Sequence, residues 1–176
     1  AWRFPGLASK DFEVLQVVSQ VLYNGKAGLI DLDLNQQQKV LNSYGYPMGL
    51  ADYSAFILGG LPKQGQTLEE VKDLLLNEIK KLRAGEFDEK MLQANINNFK
   101  LYELQSMESN EGRADIFVNS FINGTNWEDE VTAIDRMAKL TKEDIVAFAD
   151  KYLKEDNYAV VYKKQGKDCL LYTSDA

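Results

Sequence analysis

Between Thr67 and Leu153 the sequence carries one helical signal after another, with no strand signal among them. That block constrains the fold more than any other feature. A parallel sheet needs strands that alternate with helices, because each strand must be carried back to the same end by a crossover. An unbroken helical block leaves the strands to gather elsewhere. Asn42–Tyr46 and Tyr53–Leu58 are rich in aromatic and aliphatic residues and are separated by Pro47, Gly49 and Asp52, the pattern of two hairpin strands. Gly59, Gly60 and Pro62 close the second. Trp2–Phe4 reads as the end of a strand stopped by Pro5-Gly6, and Asn157–Tyr162 as a final strand centred on Tyr158-Ala159-Val160-Val161. The class expected is α+β, an antiparallel-rich sheet covered on one face by helices.

The helices have recognisable ends. Ser9 is placed as an N-cap with Asp11 in the first turn, and Val14, Leu15, Val18, Val21 and Leu22 recur at helical spacing until Asn24-Gly25. A shorter helix is expected from Leu29 or Ile30 to Leu41. Thr67 and Glu70 form a capping box for a helix with a stripe of Val71, Leu74, Leu75, Ile79 and Leu82, ended by Gly85. A long helix starts at Asp88, and Asn110–Ile122 continues helical with Ile116, Phe117 and Phe121 as its apolar face, until Gly124. Trp127–Met137 reads as one short helix, and Thr141 opens the last, with Ile145, Phe148 and Leu153 on one side.

Composition removes several functions. The 176 residues are 45% hydrophobic, enough for one domain with a sizeable core, placed at residues 1–168. A net charge of −7 repels phosphate backbones, so nucleic acid is not an expected partner. No apolar run approaches a membrane span. The octapeptide 169–176, which holds the only cysteine, reads as an adapter-derived artefact or a short disordered tail, and the opening residues read as mid-protein. With no histidine, the chain lacks the usual anchor of a catalytic zinc and the base of Ser-His or Cys-His systems.

Other motifs are weak. Gly25-Lys26 lacks the spacing of a phosphate loop. Asp31-Leu32-Asp33-Leu34-Asn35 matches half of a calcium loop, but Gln36 stands where glycine is needed and Asn42 where glutamate is needed, so it reads as the polar face of a short helix. Glu69, Glu70, Asp73 and Glu78 alternate with Lys72, Lys80, Lys81 and Arg83 as a solvated face would. Glu108, Glu111, Arg113 and Asp115 cluster at a helix junction, where an ion-pair network is expected rather than an acid–base site. Asn123-Gly124-Thr125 fits a glycosylation acceptor and equally a plain turn.

Leu140-Thr141-Lys142-Glu143-Asp144-Ile145-Val146-Ala147-Phe148-Ala149-Asp150-Lys151-Tyr152-Leu153, followed by Asn157–Lys163, resembles the closing helix and strand of a pitrilysin/insulinase-type zinc metallopeptidase domain. Asp11–Leu29 resembles that family's first helix and small-residue loop, and Thr67–Phe87 its mid-domain helix, so the likeness runs from about Trp2 to Gly166. Such enzymes are built from repeated α+β domains. The first carries an inverted zinc motif, H-x-x-E-H, which is absent here: Phe12–Tyr23 stands in its place. The resemblance therefore implies a non-catalytic repeat lacking its first strand. Asn35–Lys39 and Tyr162–Gly166 look most like the second domain of long bacterial members. It also implies that no cofactor is held in this segment, with zinc on another domain of the parent, and that the partners are the catalytic and other domains of the same polypeptide and a peptide substrate. The family's substrate-facing positions fall on Gly25, Gly28 and Tyr44. Small residues let a peptide backbone approach closely and a strand edge offers hydrogen bonds, although each glycine also serves simply to end a helix and make a turn. Two other functions stay open at this point: a scaffold domain of an inactive homologue beside a separate catalytic subunit, and an unrelated small-ligand-binding domain. The compartment, periplasm or cytoplasm of a bacterium, is not readable.

Overall fold

Register decides which residues of the sheet meet the helices. The structure is a computed structural model that describes residues 1–166; the segment 169–176, with its cysteine, lies outside the described residues. Strands β1 (Trp2–Pro5), β2 (Asn42–Met48) and β3 (Tyr53–Leu61) form an antiparallel sheet in the order β1-β3-β2. Trp2 lies opposite Phe56, Phe4 opposite Ser54, Ser43 opposite Gly60 and Gly45 opposite Leu58. Side chains alternate between faces along a strand, so these residues share one face. Trp2, Phe4, Ser43, Gly45, Ser54 and Phe56 are buried there. Arg3, Tyr44, Tyr46 and Tyr53 lie on the opposite face, which is open, and the Arg3 guanidinium rests 3.6 Å from the Tyr53 ring centroid. The α+β class with helices on one face of the sheet is what forms.

Helix α1 (Lys10–Leu22) starts on Ser9, whose hydroxyl accepts from Phe12 N–H at 3.2 Å. Leu15, Val17, Val18, Ser19, Val21 and Leu22 are all buried, more than one stripe. The reason is its position: α1 touches all three strands and four other helices. Helices α2 (Leu68–Arg83) and α7 (Lys142–Tyr152) begin with capping boxes, Thr67 with Glu70 and Thr141 with Asp144. Where α2 crosses β3, a Cβ on Gly60 would come within 2.4 Å of Val71 Cγ1, so the close approach of helix to sheet requires glycine. Phe4 of β1 stacks on Phe148 of α7 at 5.8 Å and lies 4.8 Å from the Tyr152 ring. Tyr152 donates its hydroxyl to the Asp11 carboxylate.

The remaining helices are α3 (Lys90–Met107), α4 (Asn110–Asn123), α5 (Trp127–Val131) and α6 (Ala133–Met137). Arg136 of α6 clamps Glu13 of α1 with two hydrogen bonds, Nε to Oε2 at 3.0 Å and Nη2 to Oε1 at 2.5 Å. Gly124 ends α4 at φ +65°, the plain turn reading of that site.

Four expectations change. The final strand is reduced to one antiparallel bridge, Trp2 with Tyr158, and two hydrogen bonds between Ala1 and Ala159, each 2.9 Å. A ladder needs a neighbouring edge, and β1 offers this segment only Ala1 and Trp2. The helix expected to reach Leu41 is a π-helical turn, Asp31–Asn35, because Gln38 takes φ +51° and the Asn35 side chain is spent on Ser43, with three contacts of 2.8 Å. Trp127–Met137 is two helices broken at Thr132, whose hydroxyl bonds back to Glu128 O at 2.6 Å. The α4 stripe faces solvent instead of a core: Phe121 is 87% exposed, and Phe117 stacks on Trp127 at 4.3 Å.

Candidate functional site

The loop after α1 is braced from within. Asn24 Oδ1 accepts from Lys26 N–H and Ala27 N–H at 3.0 and 2.8 Å, folding the chain into an Asx turn. Asp31, buried, accepts from Asn24 N–H and Gly28 N–H, both at 3.0 Å. Gly25 crosses this turn at φ +77°, exposed, with open space around it. Gly28 is buried, and a Cβ there would meet the Leu22 carbonyl oxygen at 2.6 Å. Its lack of a side chain is thus required by packing, whatever else passes the loop. The role of Asp31 was missed in the sequence, although an acid three residues after a helix-starting residue is the capping-box signal.

Tyr44 sits elsewhere. It projects from β2 on the open sheet face and lies across Gly59, where a Cβ would fall 2.3 Å from Tyr44 Cζ. Its ring stacks beside Tyr46 at 6.2 Å. It also borders a groove of about 770 Å³ between β3, α2 and residues 158–163. Leu58, Gly60, Val71, Leu75 and Tyr158 give this groove an apolar lining. Neither Gly25 nor Gly28 borders it. The structure therefore separates the three candidate residues into an exposed loop tip, a packing glycine and a rim tyrosine.

Among the described residues the acids near the loop go to separate structural tasks. Asp31 braces the loop, Asp33 pairs with Lys81 Nζ at 2.5 Å, and Asn35 binds Ser43, so the half calcium loop sends its side chains to three separate tasks. Among the described residues no cluster of three or more His, Cys, Asp or Glu is placed to hold a metal ion. Glu78 departs from the solvated face expected for α2: it is 1% exposed, with Lys81 Nζ 2.9 and 3.2 Å from its two oxygens. Burial pushes its carboxyl up against the pull of that ammonium, while the hydrogen bond from Lys81 holds Asp33 low. The expected ion-pair network at Glu108, Glu111, Arg113 and Asp115 is absent; Arg113 instead binds the Met107 carbonyl at 3.0 Å and Asn110 Oδ1 at 2.5 Å. Among the described residues no helix is long and apolar enough to cross a membrane.

Known proteins give this geometry its context. The family model described as the peptidase M16 inactive domain matches residues 1–99. The chain is similar in structure to a protease from Helicobacter pylori, with a TM-score of 0.77 and 22% identity over 87% of this chain. It spans 37% of the length of that protease. It is similar to the inactive peptidase domain of a proposed zinc protease from Bordetella parapertussis, with a TM-score of 0.76 and 18% identity, covering 89% of this chain and 85% of that one. It is also similar to a chain of Complex III2 from Candida albicans with Inz-5 bound, at a TM-score of 0.70 and 10% identity, over 86% of this chain and 38% of that one. No curated protein sequence matches the chain.

Proposed function

The chain belongs to the peptidase M16 inactive domain family and is a non-catalytic domain, and from that premise we propose that it completes the substrate chamber of a zinc-dependent endopeptidase. The zinc and its general base sit on another domain of the same polypeptide, and this domain supplies wall and peptide contact. Its place as the second domain of a long bacterial member is part of the same proposal. The observation that carries it is the asymmetry of the sheet. One face is sealed by helices, while the other presents Arg3, Tyr44, Tyr46 and Tyr53 unsealed. Aromatic side chains on an open strand surface offer apolar area and a polar tip to an extended peptide at low entropic cost. Tyr44 is the contact with most to offer; Gly25 gives an open loop tip, and Gly28 fixes the loop that presents it.

The test is a titration of a fluorescein-labelled, unstructured decapeptide with the purified chain, followed by anisotropy. Binding in the sub-millimolar range is expected, weakened about tenfold by Tyr44→Ala, the loss of roughly one aromatic contact. A flat titration to millimolar chain, or equal binding by the variant, would overturn the peptide-contact role.

A scaffold reading, in which the domain belongs to an inactive homologue and partners a separate catalytic subunit, draws its support from the exposed apolar face of α3 and α4. Leu101, Leu104, Phe117, Phe121 and Ile122 are each at least half exposed, and exposed apolar side chains gathered on one face mark a protein contact. An H-x-x-E-H motif encoded upstream in the same polypeptide favours the peptidase reading, and its absence favours the scaffold. The family match weighs against the third possibility, an unrelated small-ligand-binding α+β domain.

A further inference from the structure

Both proposed peptide contacts hang on the turn Asp31–Asn35, whose alternate side chains leave for three different elements. Asp31 accepts from Asn24 N–H and Gly28 N–H and so fixes the loop that carries Gly25. Asn35 accepts from Ser43 N–H and donates to the Ser43 carbonyl, both at 2.8 Å, on the strand residue next to Tyr44. Asp33, between them, is tied to α2 by Lys81 Nζ at 2.5 Å. That ammonium is shared, because the two oxygens of Glu78 stand 2.9 and 3.2 Å from it. The Glu78 side chain is 2% exposed, whereas that of Asp33 is 27% exposed. One cation thus faces two carboxyls of unequal burial, and the proton count decides which of them it serves. With Glu78 protonated, Lys81 and Asp33 are a matched pair and the three groups sum to zero charge. With Glu78 ionised there is one negative charge in excess. The buried carboxylate has no water to turn to and draws the ammonium toward itself, and Asp33, which reaches solvent, is the partner that lets go.

We propose that Glu78, Lys81 and Asp33 form a proton-controlled latch: a proton on Glu78 leaves Lys81 to Asp33 and locks the turn Asp31–Asn35 to α2, and loss of that proton frees the turn, together with the Gly25 loop and the start of β2. The neighbouring elements leave this competition in place. Lys39, exposed, acts on the Asp33 side, where it adds to the pull of Lys81. Strand β3 carries no charged residue. On α1, Asp11 is engaged by Lys151 and Tyr152, and Glu13 by Arg136. Toward α7, Lys80 of α2 pairs with Glu155 at 3.4 Å and Arg83 with Asp150 at 2.7 Å. Burial raises Glu78 above the ordinary 4.5, and Lys81 holds Asp33 below 3.8. The lock is therefore full between the lowered Asp33 value and 4.5, and is lost as pH rises through the raised Glu78 value. A locked loop is preorganised and binds more tightly than a loose one. That the latch tunes peptide contact rests on the proposed function; the latch itself rests on three side chains and their burial.

The test follows two sets of NMR signals in the purified chain from about pH 4 to about pH 9, the range in which a raised carboxyl titrates. One is the Glu78 carboxyl carbon; the other is the backbone amides of Gly28 and Ser43, which donate to Asp31 and Asn35. The expected result is one shared midpoint above 4.5. The amides are expected to stay flat in Glu78→Gln, which mimics the protonated form, and in Asp33→Asn, which removes the released partner while Glu78 still titrates. Affinity for the labelled decapeptide is expected to fall about tenfold through the same midpoint, the equivalent of one pKa unit of coupling, and to hold steady with pH in Glu78→Gln. Amides that stay flat while Glu78 titrates, or that titrate alike in the parent and Glu78→Gln, overturn the latch. A Glu78 midpoint at or below 4.5 overturns it too. Shared titration without peptide binding at either pH upholds the latch and strikes the peptide-contact reading alone.

Discussion

Of the four acids on α2, Glu78 alone is turned inward, and it shares the Lys81 ammonium with Asp33. The two carboxyls respond to pH in opposite senses. Glu78 has its pKa raised by burial, so its contribution to stability is full below the ordinary 4.5 and is lost as pH climbs through the raised value. Asp33 is held below 3.8 by its bond to Lys81, so its contribution is present above that value and is lost on acidification. Glu78→Gln is therefore expected to gain stability relative to the parent between pH 4 and pH 7, while Lys81→Met strands a buried carboxylate and costs about 3 kcal/mol at neutral pH. Urea midpoints at the two pH values check this; parallel changes in parent and Glu78→Gln would refute it. None of this was legible in the sequence, where Glu78 is one more acid among lysines. Burial of a single helical position depends on what crosses the helix, and the Asp33 that shares Lys81 lies 48 residues from that lysine.

At the scale of elements the local signals read true. Thr67 with Glu70, Thr141 with Asp144, Ser9 and Gly124 all end or start helices where their chemistry places them, because caps are settled within one turn. Thr67→Ala and Thr141→Ala are each expected to cost about 1 kcal/mol, additive in the double variant since the caps share no partner. Thermal unfolding of the three variants measures it, and a double variant no worse than either single one would show that the caps are not independent. What failed was non-local. The segment 157–162 has strand composition without an edge to pair along, and the helix expected to reach Leu41 stops because Asn35 is taken by Ser43 in the next strand. Of the candidate contacts, the turn at Gly25 was readable from Asn24-Gly25, whereas the burial of Gly28 came from the Leu22 carbonyl, which sequence spacing does not reveal.

For the whole molecule, the α3–α4 face leaves large apolar side chains in water. Phe117, Phe121 and Ile122 are 58%, 87% and 69% exposed, so converting all three to serine removes little core. The triple variant is expected to keep its melting temperature within a few degrees, which scanning calorimetry checks. A collapse in melting temperature would mean that these residues support α4 instead of docking it. The molecule is also closed by its two ends. Ala1 bonds Ala159, Phe4 stacks on Phe148, Glu13 holds Arg136 and Asp11 accepts from Tyr152, at sequence separations of up to 158 residues. A ribosome makes the first strand and helix long before it makes their partners. Until α7 has left the exit tunnel, Phe4 lacks Phe148 and Tyr152 and Asp11 lacks its Tyr152 donor, so the part of β1 and α1 that α7 covers stays open and the domain closes late.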